Sequence, residues 1–179
     1  MHKDIFLFLD EHTVKAKKIV DLYLEDSVYK NYDGVIGISG ISGTGKSEIA
    51  SEVNRLLYEN GISSFVINMD KFYKVDAKVR DEWRKIENYI GHREIDWDKI
   101  NKEIKAFDNN AIRVLIIEGL YSNHISGAVK FYIEGNIKST YDFRLLRGKE
   151  IETDKWRQYV VGEEYADILD SLQYCNYII

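Results

Sequence analysis

Gly40-Ile-Ser-Gly-Thr-Gly-Lys-Ser47 is the stretch of sequence that decides the fold. It matches the pattern G-x-x-x-x-G-K-[ST], whose glycines let successive backbone N–H groups converge on phosphate oxygens. A β-rich run at residues 35–39 precedes it, and apolar residues at helical spacing follow over residues 46–60. This strand–loop–helix context distinguishes a phosphate-binding loop from a chance glycine-rich turn.

Each part of this loop has a predicted role in holding a nucleotide. Lys46 is expected to reach the β- and γ-phosphates, and the Ser47 hydroxyl to ligate Mg²⁺. The helix that begins near Lys46 adds its positive N-terminal end. ATP and Mg²⁺ are the expected cofactors, and the expected cofactor-binding residues are Gly40, Ile41, Ser42, Gly43, Thr44, Gly45, Lys46 and Ser47.

Strands alternate with helices along the rest of the chain, which predicts a three-layer α/β fold with a parallel sheet covered on both faces. Strands are predicted at residues 35–39, 64–68, 111–117, 129–133 and 174–179, and helices at 3–30, 46–60, 81–87, 97–107, 137–147 and 153–171. Residues 1–33 are interpreted as an N-terminal helix packed on a domain at 34–179 that contains the phosphate loop. That helix is expected to cover a sheet edge or to form an oligomer contact.

Two acids stand where predicted strands end. Asp70 follows the second strand and Glu118 follows the third. Ligands of open α/β sheets bind beyond the carboxyl ends of the strands, so both carboxylates are expected to face the γ-phosphate. Such a carboxylate can accept the proton of an attacking hydroxyl or hold Mg²⁺. Ser47, Glu118 and Asp70 are therefore the predicted metal-binding residues, the alternative for either acid being a helix cap or a solvated position.

Composition excludes several classes of protein. The net charge of −5 argues against a nucleic-acid-coating protein and, with no basic aromatic stripe, against a polynucleotide kinase. The single cysteine gives no sign of an oxidising compartment, and no apolar run approaches the length of a membrane span. A guanine-recognition box Asn-Lys-x-Asp is absent, because Asn101-Lys102 continues as Glu103-Ile104, and this argues against a GTPase. These features indicate a cytoplasmic protein without a nucleic-acid or membrane partner.

From Val35 onward the chain resembles the uridine kinase/phosphoribulokinase group of P-loop kinases. The resemblance is carried by the phosphate loop and by residues 69–73 (MDKFY), 88–96 (NYIGHREID), 114–119 (VLIIEG) and Arg147-Gly148. It implies a five-stranded sheet in the order 2-3-1-4-5. It also implies that Asp70 is the general base and that Glu118 organises Mg²⁺. Arg144 and Arg147 would belong to a short lid over the phosphates at about 144–153, and with Asp70 and the loop residue Lys46 they are the predicted catalytic residues.

The sequence departs from this group where the acceptor is recognised. The group's N-[FY]-D-H-P segment reads Asn88-Tyr-Ile-Gly-His92 here, so the Asp that grips ribose hydroxyls is missing. A base-reading hairpin before the third strand is also missing, and the lid segment is shorter. Phosphate handling therefore carries over from the resemblance, whereas uridine recognition does not.

Several further residues are weaker candidates. Arg144 and Arg147 lie three positions apart and would share one helix face. This placement suits either stabilisation of the charge on a transferring phosphoryl group or a solvated helix end. Tyr73, His92 and Arg93 are predicted to line an acceptor pocket, the alternative being packing or surface positions. The acids of the predicted helix at residues 153–171 are interpreted as a solvated face.

The predicted function is ATP-dependent transfer of the γ-phosphoryl group to a hydroxyl of a small-molecule acceptor. A nucleoside is the first candidate, and pantothenate, a sugar phosphate or another riboside stays open. An ATP-binding regulatory module without an acceptor is the alternative from a different class, since the lid segment is short. A homo-oligomer is also compatible with the sequence.

Overall fold

The computed structural model describes residues 9–30, 34–107, 112–136, 138, 140 and 154–179, and its centre is a five-stranded sheet. The strands are β1 (Val35–Ser39), β2 (Ser64–Asn68), β3 (Val114–Glu118), β4 (Val129–Tyr132) and β5 (Tyr177–Ile178). All neighbouring strands are parallel, in the order β2-β3-β1-β4-β5. The predicted fold class and strand order are confirmed.

Within the described ranges, five helices connect and cover these strands. They are α1 (Asp10–Lys30), α2 (Lys46–Glu59), α3 (Arg80–Glu87), α4 (Trp97–Phe107) and α5 (Lys155–Asp170). Short 3-10 turns lie at Met69–Phe72, His92–Glu94, Ser122–His124 and Ser171–Tyr174. The last of these turns replaces the first residue of the predicted final strand, which shortens to two residues. The predicted helix at 137–147 is described at residues 138 and 140 alone, and the predicted lid, with Arg144 and Arg147, lies outside the described residues.

Burial explains why the central strands lack the alternation of apolar and polar residues. All five residues of β1 and of β3 are buried, because helices cover both faces of the sheet. Ile36 and Ile38 of β1 pack into a core with α1 and α2. Leu115 and Ile117 of β3 point to the other face, into a second core with α4 and α5.

Helix α1 is part of the first core. Its side chains Ala16, Ile19, Val20 and Tyr23 are buried and pack with those of α2 and β1. It therefore covers a face of the sheet beside α2, rather than a sheet edge. Among the helices that the structure describes, none is long and apolar enough to cross a membrane.

Candidate active site

The phosphate loop joins the end of β1 to the start of α2. Gly40, Gly43 and Gly45 have φ values of 151°, 93° and 77°, a region that favours glycine. A methyl group on Gly43 would come within 2.7 Å of the Thr140 carbonyl oxygen, so the backbone there leaves no room for a side chain. The glycines thus permit both the turn and its close packing, as the sequence pattern requires.

Lys46, the first residue of α2, folds back over this loop. Its Nζ donates a hydrogen bond to the Ile41 carbonyl oxygen at 2.9 Å. Burial lowers the pKa of the Lys46 ammonium, while the nearby carboxylates of Glu118 and Asp70 oppose that shift. The lysine, the loop and two predicted catalytic acids therefore occupy one electrostatic environment.

Glu118 lies at the end of β3 and is 3% exposed. Its Oε1 accepts hydrogen bonds from Ser47 Oγ at 3.0 Å and from Asn68 Nδ2 at 2.7 Å. The parallel register brings these side chains together, because Glu118 pairs with Asn68 of β2 and with Ile38 of β1, the strand that leads into the phosphate loop. Burial raises the pKa of the Glu118 carboxyl, and Lys46 and the Ser47 hydrogen bond oppose this. Ser47 and Glu118, two of the three residues predicted to bind Mg²⁺, are thus in direct contact.

Asn68 positions the second predicted acid. Its Oδ1 accepts a hydrogen bond of 2.7 Å from the backbone N–H of Asp70, at the start of the 3-10 turn Met69–Phe72. The Asp70 side chain is exposed beside the loop lysine. The sequence analysis missed Asn68, although an Asn two residues before Asp70 at a strand end is a recognisable capping signal.

Tyr73 follows this turn and lies close to Asp70 and Glu164. Burial raises the pKa of its hydroxyl, and these two carboxylates add to the effect. The Arg80 guanidinium lies 3.5 Å above the centre of the Tyr73 ring, and the backbone of Tyr73 bridges to Ile95. Tyr73 is therefore held by Arg80 and by the backbone of Ile95, in the region that contains Asp70 and Glu164.

A buried arginine links α3 to α5 next to Tyr73. Arg84, 3% exposed, donates two hydrogen bonds of 2.8 Å to Glu94 and one of 2.9 Å to Glu164. Burial raises the pKa of the Glu164 carboxyl, opposed by Arg157 and Arg84. The interpretation of the α5 acids as a solvated face is therefore wrong for Glu164, because that carboxylate faces inward to meet Arg84.

His92 has a partner on the same helix α5. Asp167 accepts hydrogen bonds of 2.9 Å from the His92 backbone N–H and from its ring Nδ1. The solvated-face interpretation is therefore wrong for Asp167 as well. Arg93 is exposed and stacks on the Tyr89 ring at 4.3 Å. Neither the His92 nor the Arg93 contact involves the phosphate loop, in contrast to the Lys46, Ser47 and Glu118 contacts.

His92, His124 and Asp167 each place one potential metal-ligand atom within 4.8 Å of the others. The two imidazole rings are stacked, with centroids 4.3 Å apart and planes at 16°. Zinc-bound nitrogens lie about 2.0–2.1 Å from the ion, which requires ring lone pairs that converge. Lone pairs of near-parallel rings run side by side, so we interpret this cluster as a stacked, hydrogen-bonded pair.

A polar network supports the loop from behind. Ser39, the last residue of β1, donates a short hydrogen bond to Asn123 Oδ1. Asn123 Nδ2 donates to Ser171 Oγ at 3.1 Å, and Ser171 Oγ donates to the Ile168 carbonyl at 2.6 Å. All three polar side chains are buried. The network therefore connects the strand that enters the phosphate loop to the end of α5.

Comparisons with known proteins agree on the fold. No protein-family model and no curated protein matches the sequence. A candidate fructose transport system kinase from Silicibacter sp. TM1040 is 15% identical, with a TM-score of 0.65 over 94% of this chain and 98% of its own. A possible uridine kinase from Bacillus stearothermophilus is 16% identical, with a TM-score of 0.52 over 92% of this chain and 99% of its own. This chain therefore shares the fold of these two proteins, which confirms the resemblance at the level of the fold.

Proposed function

We propose that this protein is a kinase that transfers the γ-phosphoryl group of ATP to a hydroxyl of a small metabolite. The observation that supports this most is the array formed by Lys46, Ser47, Glu118, Asn68 and Asp70. It joins a phosphate loop to two carboxylates at the carboxyl ends of adjacent parallel strands, where ligands of such sheets bind. The names of both structural neighbours also designate kinases.

The residues present fit a magnesium nucleotide. The loop glycines adopt backbone conformations that let successive N–H groups converge on phosphate oxygens, and the N-terminus of α2 adds a partial positive charge. Ser47 and Glu118 offer the oxygen ligands that Mg²⁺ prefers. When bound, ATP supplies the phosphoryl group and Mg²⁺ neutralises phosphate charge.

The protein's own residues would then divide the chemistry. The loop amides and Lys46 hold the phosphate oxygens, so Lys46 would exchange its bond to the Ile41 carbonyl for one to phosphate. Asp70, exposed beside Lys46, would accept the proton of the acceptor hydroxyl as the new O–P bond forms and the bond from the γ-phosphorus to the leaving ADP breaks. Asn68 keeps the turn that carries Asp70 in register with Glu118. Arg144 and Arg147 are proposed to complete the charge stabilisation.

The acceptor is proposed to be a nucleoside or another small polyol that binds near Tyr73, on the Asp70 side of the loop. Tyr73 and Tyr121 bring two hydroxyl groups to this region beside Glu164. Within the described residues, the buried Tyr121 hydroxyl lacks a hydrogen-bond partner. The name of the second neighbour favours a nucleoside and that of the first a sugar. His92 and Arg93 remain proposed contacts for the acceptor.

The test of the base assignment is Asp70→Asn. We expect turnover to fall by about 10²–10⁴-fold, the range typical of general-base removal, while MgATP affinity changes little. Steady-state turnover and calorimetric titration with MgATP measure the two quantities. Asp76→Asn is a matched control, because Asp76 is also exposed and follows the same turn. Unchanged turnover in Asp70→Asn would reject Asp70 as the base.

A screen of acceptors tests the function itself. ADP release is measured with MgATP and, in turn, nucleosides, other ribosides, sugars, sugar phosphates and pantothenate. Acceptor-dependent ADP release supports the kinase and identifies its substrate class. MgATP binding without stimulation by any acceptor supports the alternative, an ATP-binding regulatory module.

A further inference from the structure

Helix α1 brings a histidine to the phosphate loop. His12 lies in the first turn of α1 and is 3% exposed. A methyl group on Gly45 would collide with His12 Nε2 and come within 2.9 Å of its Cδ2. The imidazole therefore packs directly on the backbone of Gly45, the loop residue from which α2 starts.

The orientation of the His12 ring is fixed from its other edge. The backbone N–H of Leu9 donates a hydrogen bond to His12 Nδ1 at 3.3 Å. A ring nitrogen that accepts a hydrogen bond carries no proton, so the neutral ring has its proton on Nε2. Nε2 is the atom nearest the missing side chain of Gly45. The N–H edge of the His12 ring is thus directed to the loop, whereas an apolar side chain at this position would only fill the space beside Gly45.

Helix α1 gives this contact a rigid base. Ala16, Ile19 and Val20, within two turns of His12, are buried against α2 and the sheet. Next to His12, the Thr13 side chain hydrogen-bonds to Glu52 of α2. The start of α1 is therefore tied to α2, so a displacement of His12 would act on the loop.

We propose that His12 is a positioning residue for the phosphate loop, acting through Gly45. Gly45 has a left-handed φ of 77°, and its carbonyl accepts the first hydrogen bond of α2, from Ile49 N–H at 2.9 Å. The direction of the loop amides and of the α2 N-terminus depends on this one residue. His12 packs against this residue, with Nε2 as the nearest ring atom. This role rests on the proposed function for its consequence in binding, but the control of loop geometry stands independently of it.

The experiment compares His12→Ala with Val20→Ala. Val20 is equally buried in the same helix and packs in the core, so its truncation loosens α1 without touching Gly45. Amide hydrogen exchange of residues 40–47 is measured in the protein alone, and MgATP affinity by calorimetry. We expect His12→Ala to accelerate loop exchange and weaken MgATP binding by about tenfold or more, since small misplacements of a site have large effects. Val20→Ala should lower the melting temperature without accelerating loop exchange and without weakening MgATP binding.

Unchanged loop exchange in His12→Ala, or equal acceleration in Val20→Ala, would overturn the proposal. If His12→Ala does not fold, His12→Gln enters the same comparison, because it keeps a polar side chain of similar reach. A wild-type protein that fails to bind MgATP would refute the proposed function, whereas loop exchange would still decide the role of His12.

Discussion

At the scale of single residues, Glu118 is a carboxylate kept where burial disfavours its charge. Burial raises the folded-state pKa of the Glu118 carboxyl, so its ionised form destabilises the fold at pH values above that pKa. This destabilisation diminishes as the pH falls below that pKa and the carboxyl takes up a proton. Ser47 and Asn68 both donate to its Oε1. An amide oxygen at this position can accept the same two hydrogen bonds but cannot neutralise a metal ion.

We therefore predict that Glu118→Gln separates stability from activity. The melting temperature at pH 7.5 should equal or exceed that of the wild type, and this advantage should narrow on acidification. Turnover should fall by about 10²–10³-fold, the scale for loss of one charge-stabilising group. Thermal unfolding from pH 5 to 8 measures the melting temperature, and steady-state assays measure turnover. Glu103→Gln, on the exposed face of α4, is the control. A lower melting temperature across this range would contradict the prediction.

The sequence predicted Lys46, Ser47, Asp70 and Glu118 of the candidate site but missed Asn68, and it misjudged Glu164 in the neighbouring ion pair with Arg84. Lys46 and Ser47 follow from the loop pattern, and Asp70 and Glu118 from strand ends. Glu164 was misjudged because its partner Arg84 lies 80 residues away in the chain. An acid on a polar helix has the same local sequence whether it faces solvent or a buried guanidinium.

At the scale of elements, Arg84 is the connection between α3 and α5. It binds two carboxylates, Glu94 and Glu164, and all three side chains are buried. Removal of the arginine would leave two buried negative charges without their shared partner. Removal of one carboxylate charge would leave a paired arginine and glutamate.

Arg84→Met should therefore destabilise the protein far more than Glu164→Gln. We expect a loss of about 3–5 kcal/mol for Arg84→Met, the cost typical of breaking a buried ion pair from one side. Burial raises the pKa of Glu164, so this loss should shrink at acidic pH as carboxylates take up protons. Urea unfolding at pH 7.5 and pH 5.5 gives both values. Equal losses for the two variants would show that the buried charges are not the cause.

At the scale of the whole molecule, the phosphate loop is joined to both faces of the sheet. His12 and α2 reach it from one face, and the network from Ser39 to Ser171 from the other. The individual strands could be predicted because buried parallel strands have a strong sequence signal, whereas their order followed only from the family resemblance. The short strand β5 was predicted too long, since pairing with β4 limits it to two residues.

Because the loop contacts both layers, a bound nucleotide should stabilise the entire fold. At a MgATP concentration 100 times its dissociation constant, the expected stabilisation is about 2.7 kcal/mol. For a chain of this size that corresponds to a rise of roughly 5–10 °C in melting temperature. Differential scanning fluorimetry measures the rise in melting temperature that MgATP causes in the wild-type protein. The same measurement on Lys46→Ala is the control. A rise that is equal in Lys46→Ala would place the binding elsewhere.

The buried contact between Arg84 and Glu164 also bears on how the protein is made. A ribosome adds about 5–20 residues per second, so the 80 residues between these partners take roughly 4–16 s to synthesise. During that interval the nascent chain contains the phosphate loop and Asp70, whereas the carboxylate that completes the arginine pair is still missing. We therefore expect the segment that contains the phosphate loop to be synthesised first and the buried contact between α3 and α5 to form last, as α5 emerges.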